Sequence, residues 1–258
     1  DFNSAVYNEL RTGFDVYLRK RLFELVEGRI SYTLENVEIF DVSDDASEQI
    51  KEEEGTTLIS KLGLTFTRDT RDRLILTRSG NRLEYNTQFA GGIFGGDADY
   101  WKNQIRASQF VPTFEALNQG FALFGRIGTI VPYGDDDVPF FDRFFLGGPN
   151  TLRGFGFRDV GPKDENGDNI GGNSFAYLSA EYMVQVAEPL EIVLFYDWGF
   201  VNPDDWDFNA AGYNDDWGFG FRIFVLGAPL RLDFGFPITT DDQNDDGMQF
   251  NFSFGTRF

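Results

Sequence analysis

The stretch Arg143-Phe144-Phe145-Leu146-Gly147-Gly148-Pro149-Asn150-Thr151-Leu152-Arg153-Gly154-Phe155 holds the residues of this chain best suited to chemistry. Arg153 carries a permanent cation whose planar fork of donors suits carboxylates. An Arg withdrawn from water requires such a partner, because an unpaired buried charge is costly. Gly147, Gly148 and Gly154 around it point to close backbone packing. The chemistry on offer is ion pairing inside a protein interior. The bland alternative, a solvated loop Arg, leaves those glycines without a purpose.

Other chemistry fares poorly. The chain has no His and no Cys, which removes the usual general base, the thiolate nucleophile and the disulfide framework. Catalysis would rest on carboxylates or a Ser–Lys pair, and no pocket-forming pair stands out, so no enzyme is expected. Asp242-x-Asn244-x-Asp246-Gly247 fits the first half of a calcium loop, but Ser253 stands where the bidentate Glu is required. Asp164, Asn166 and Asp168 offer a similar oxygen cluster. Both read as solvated acids, and no metal or cofactor is assigned. The net charge of −20 argues against nucleic acid, which binds through Lys and Arg.

The elements that position Arg153 show a period of two. Met248, Phe250, Phe252, Phe254 and Phe258 alternate with Gln249, Asn251, Ser253, Gly255 and Arg257. Leu230, Leu232, Phe234 and Phe236 oppose Arg231, Asp233 and Gly235, and Trp217, Phe219, Phe221, Ile223 and Val225 oppose Gly218, Gly220, Arg222 and Phe224. One face is greasy and the other polar, as for strands with lipid outside and a wet lumen inside. Thirty Phe in a chain of mean hydropathy −0.31 fit the same picture. No apolar run approaches the ~20 residues of a membrane helix. Eleven strands are predicted, at about 8–19, 28–40, 56–68, 81–91, 99–112, 119–133, 173–186, 190–200, 214–226, 228–237 and 247–258. Leu226-Gly227-Ala228-Pro229 and Val186-Ala187-Glu188-Pro189 read as tight turns. The acidic segments 41–55, 134–172, 201–213 and 238–247 read as long loops on the opposite side.

The expected fold is therefore all-β: a transmembrane antiparallel β-barrel forming one domain over residues 1–258, with 134–172 as a long inward-folding loop. Bacterial barrels have even strand numbers, and the chain begins at Asp1 with neither Met nor a signal pattern. Strands preceding Asp1 are thus expected.

With the strands placed, the chain resembles the BamA-type outer-membrane assembly family of the bacterial surface antigen superfamily. The likeness rests on Ser31 to Phe40, on Thr67-Arg68-Asp69-Thr70-Arg71-Asp72 followed by Thr77-Arg78-Ser79-Gly80, and on Phe144 to Phe155. Tyr196-Asp197-Trp198-Gly199 and the aromatic last strand complete it. Leu152 stands where the family usually has Val or Ile. The resemblance implies a barrel of sixteen strands, of which about eleven are visible, preceded by periplasmic POTRA domains. It also implies that Arg153 reaches into the lumen and pairs with acids on following strands. Asp197 and Glu181 occupy the matching positions, and both have inward parity.

The function implied is an outer-membrane protein assembly factor that folds and inserts β-barrel proteins into the bacterial outer membrane. Unfolded client barrels, accessory lipoproteins, the bilayer and lipopolysaccharide are the partners the resemblance implies. Phe250, Phe252, Phe254 and Phe258 resemble the C-terminal strand signal of outer-membrane barrels, or simply anchor that strand at the interface. A polypeptide-secreting barrel of the same superfamily is the first alternative. A passive channel, its selectivity set by Arg222, Arg231 and Asp233, is the second.

Overall fold

Alternating apolar residues leave each strand with one face for lipid and one for the interior, and consecutive strands pair along the chain to bury neither the wrong way. The computed structural model describes residues 2–3, 6–114, 117–134, 137–225, 228–241, 244 and 247–256. Its strands are β1 (Phe2–Asn3), β2 (Asn8–Phe23), β3 (Val26–Phe40), β4 (Gly55–Asp69), β5 (Gly80–Ala90), β6 (Tyr100–Pro112), β7 (Gln119–Pro132), β8 (Ser174–Ala187), β9 (Leu190–Asn202), β10 (Asn214–Val225), β11 (Ala228–Thr239) and β12 (Gln249–Phe254). They form one antiparallel sheet in strict chain order from β1 to β12. Among the described residues no ladder joins β1 to β12.

Eleven of these strands lie where the alternation predicts them. The differences are at the ends. β2 runs to Phe23 and β12 stops at Phe254, while β1 is a two-residue pairing that alternation cannot reveal. β2 to β4 have 15–16 residues each, more than the roughly 9–11 that cross a bilayer, so they project beyond it. No helix among the described residues is long and apolar enough to cross a membrane; the strands cross instead.

The outer face is apolar and open. Leu178, Leu194, Trp217, Phe250 and Phe252 are all at least half exposed. Rings stack across the seam of the last three strands: Trp217 on Phe236, Phe219 on Phe234, and Phe234 beside Phe250, each pair with centroids 5.0–5.1 Å apart.

Part of the inner face differs from the wet lumen predicted. Near the long-loop end, Val37, Ile39, Ile59, Ile130 and Phe175 point inward and form a buried cluster with Phe140, Phe141, Leu146, Leu152 and Phe155. The loop between β7 and β8 supplies the second layer that a sheet needs to bury an apolar face. Helix α1 (Glu48–Glu52), a single turn within the 41–55 loop, adds Ile50 to this cluster. Its start is marked by Ser47, whose hydroxyl accepts the Ile50 N–H.

At the other end, β8 and β9 are joined by Glu188-Pro189 alone, the tight turn expected. For the turn before β11, Leu226 and Gly227 lie outside the described residues. The connection between β4 and β5 is not tight. Residues 70–79, between β4 and β5, fold across the opening until Arg78 Nη2 lies 2.7 Å from Glu191 Oε2 on β9 and 3.3 Å from Gln185 Oε1 on β8.

Candidate functional site: a loop held at two points across the lumen

After β7 the chain enters the interior through a 3-10 turn, Phe140–Asp142. Phe140 and Phe141 drive this entry, since both are buried. Asp142 then meets the wall. Its carboxylate accepts from Tyr100 Oη at 2.5 Å, Arg11 Nη1 at 3.1 Å and Lys61 Nζ at 3.5 Å, and its carbonyl accepts from Lys102 Nζ at 2.6 Å. Burial by itself would raise the Asp142 pKa, but Lys61, Lys102 and Arg11 together hold it below its ordinary value. This anchor binds the loop to β2, β4 and β6. Asp142 sits between Phe141 and Arg143 in sequence, but the partners of its carboxylate lie 42 to 131 positions away, so local reading did not find it.

The second anchor is Arg153, fully buried. The backbone reaches it through Gly147 and Gly148, at φ +104° and +89°. A Cβ on Gly147 would stand 2.2 Å from the Gly156 carbonyl oxygen, so this tight reversal requires glycine. Arg153 Nε donates to Asp197 Oδ2 at 2.7 Å and Nη2 to Asp197 Oδ1 at 2.9 Å, a two-pronged contact. Nη1 donates to Glu181 Oε1 at 2.6 Å and Nη2 to Ser179 Oγ at 3.3 Å. The guanidinium carbon also sits 3.4 Å from the centroid of the Phe195 ring.

Asp233 is a further acid of this site. It lies 3.7 Å from Arg153, 2.7 Å from Arg222 and 3.6 Å from Arg231. Together with Asp197 and Glu181 it surrounds the buried cation with carboxylates. The selectivity reading of Arg222, Arg231 and Asp233 is thereby corrected: all three are buried and Asp233 joins them into one network.

The tip is seated as well as paired. Gly154 and Gly235 allow the loop to lie against β10 and β11: a Cβ on Gly154 would come within 2.5 Å of Asp216, and one on Gly235 within 2.4 Å of the Arg153 carbonyl oxygen. Asn251 of β12 donates to that same carbonyl at 2.8 Å. Arg231 reaches Pro149 O at 2.6 Å and Asn150 Oδ1 at 3.1 Å. Leu152 and Phe155 are buried in the cluster described above.

The other predicted residues stand apart. Phe250, Phe252 and Phe254 are exposed on the outer face of β12, and Phe258 lies outside the described residues. So do Asp242 and Asp246 of the half calcium loop. Asp164 uses one oxygen to accept the N–H groups of Asn166 and Asp168, which caps a local turn.

A membrane-spanning antiparallel sheet with lipid-compatible rings outside, and a loop pinned to its inner wall by a buried Arg, defines a transmembrane β-barrel of outer-membrane type. The Omp85 superfamily domain matches residues 1–258. The chain belongs to that superfamily. It is 34% identical over 241 residues to a protein from Nitratidesulfovibrio vulgaris named outer membrane protein assembly factor BamA, covering 88% of this chain and 29% of that protein. A SAM50-like protein of Schizosaccharomyces pombe is 29% identical over 220 residues, 80% of this chain and 46% of that one. In structure the chain is similar to BamA from Haemophilus ducreyi lacking POTRA domains 1-3, with a TM-score of 0.79 at 18% identity, over 98% of this chain and 55% of that one. The chain therefore spans between about a quarter and somewhat over half of these proteins.

Proposed function

We propose that this chain is the barrel portion of an outer-membrane protein assembly factor that folds and inserts β-barrel proteins into the bacterial outer membrane. Its strands would belong to a sixteen-strand barrel preceded by POTRA domains. Unfolded barrel proteins are the clients, with lipopolysaccharide and accessory lipoproteins as neighbours. No nucleotide, cofactor or catalytic residue takes part.

The observation that carries this reading is the link between the loop tip and the last strand. Among the described residues β12 pairs with β11 over six positions, Gln249 to Phe254, whereas β10 and β11 pair over eleven. Each ladder position contributes little, so a short ladder opens at low cost. Asn251 ties this short strand to the backbone of Arg153, and Arg153 is held by the wall. The loop thus supports a weakly paired strand from within, leaving its outer edge to template an incoming strand by β-augmentation.

The test is reconstitution of the full-length protein into lipid vesicles with an unfolded barrel client. Folding is scored by the appearance of heat-modifiable, protease-protected client. Faster folding than in protein-free vesicles is expected. Equal rates would overturn the proposal.

A further inference from the structure

A cavity of about 590 Å³ lies between the loop and the inner wall of β3 to β7. Six cations line it: Arg29, Lys102, Arg106, Arg126, Arg143 and Arg158; Glu84 is its single lining acid. In a chain with 42 acidic and 22 basic residues, this is a strong local inversion of charge.

At its centre Arg106 and Arg126 are direct cross-strand partners on β6 and β7. Like charges at opposed positions destabilise a sheet. Glu84 stands opposite Arg106 on the other side, but its carboxylate accepts from Arg82 at 2.6 Å and from Thr67 at 3.5 Å. Arg106 itself donates to the neutral Gln104 at 2.9 Å, and among the described residues it makes no ion pair. Four of the six face carboxylates: Arg29 pairs with Asp15 at 2.8 Å, Arg158 lies 3.7 Å from Glu9, and Lys102 and Arg143 are attracted by Asp142 and Glu53 respectively. Asn86, Gln88 and Asn150 add amide groups to the lining.

From this arrangement we infer that the cavity is a binding site for a phosphate-type oxyanion, clamped between the Arg106 and Arg126 guanidinium groups. Two planar forks carried at opposed positions of neighbouring strands and lining one cavity suit the oxygens of such an anion, and low-dielectric walls focus their field. The anion is a soluble one, because the cavity opens on the inner face and lipid covers the outer face.

The test uses the full-length protein in nanodiscs of zwitterionic lipid, titrated with inorganic phosphate at constant ionic strength and followed by 31P line broadening. Saturable binding is expected. Arg106→Gln and Arg126→Gln should each weaken it about tenfold or more, the loss of one charge-assisted contact. Arg19→Gln, at an exposed position on β2, should leave it unchanged. Heat-modifiable migration on gels verifies that each variant is folded, and the more exposed Arg106 gives a usable variant if Arg126→Gln does not fold. Absence of saturable binding, or binding undiminished in Arg106→Gln, would overturn the inference.

Discussion

Arg153 and Asp197 meet as fork and carboxylate, with two N–O distances of 2.7 and 2.9 Å and neither side chain exposed to solvent. The pair joins a loop to a strand 44 positions away in sequence. Removing one partner strands the other in a buried site. Arg153→Ala should therefore cost about 3–5 kcal/mol, read as a lower urea midpoint for loss of heat-modifiable migration. Arg153→Lys keeps the charge but cannot make the fork, and should fall between the two. A midpoint unchanged in Arg153→Ala would remove the bracing role.

Asp142 should give the loop a dependence on acid. Its folded pKa lies below the ordinary 3.8, so its stabilising contribution is complete above that value and is lost as pH falls through the folded one. Asp142→Asn should release the start of the loop from Arg11 and Lys61 and abolish this acid transition. Proteolysis of the loop against pH, in wild type and variant, is the measurement.

Glu53 should act with the opposite sign. Burial raises its pKa from 4.5 to about 7, against the Phe140 N–H and Arg143, which favour the charged form. The folded carboxyl keeps its proton longer than the unfolded one, so stability should decline as pH rises from about 4.5 to about 7. Amide exchange at Phe140, whose N–H donates to Glu53 Oε1 at 3.0 Å, should show this slope beyond the intrinsic pH effect. Glu53→Gln should flatten it.

The seating of the loop tip predicts a sharp contrast between glycines. Gly235→Ala places a methyl group 2.4 Å from the Arg153 carbonyl oxygen, where backbone cannot yield cheaply. The tip should lift, the Asn251 contact should break, and exchange along β12 should rise. Gly212→Ala meets nothing within 4 Å and should behave as wild type.

Arg78 and Glu191 close the short-turn end, with both side chains largely buried. Arg78→Ala should free residues 70–79 from the opening and make them accessible to protease added at that end. It should cost several kcal/mol less if Glu191→Gln is introduced with it, because the orphaned carboxylate is then gone. Additive effects of the two changes would count against the latch.

Alternation determined most of the architecture. A strand carrying Phe, Leu or Trp at every second position can face lipid only one way, so strand positions and the inward parity of Glu181 and Asp197 follow from local sequence. The glycines around Arg153 likewise announce close packing wherever the loop lands. Where it lands was decided by tertiary structure. Asp142 finds Arg11 at 131 positions' distance, and the Arg153 carbonyl finds Asn251 at 98. Asp233 joins the same buried cluster only because β11 passes beneath the tip. The dry layer of Phe140, Leu146, Leu152 and Phe155 arises in the same way, from a loop covering inward apolar residues that period-two reading could place on the inner face but could not cover. Strand periodicity is a property of neighbours two residues apart; the contacts of a loop folded through a lumen depend on the curvature of the whole sheet.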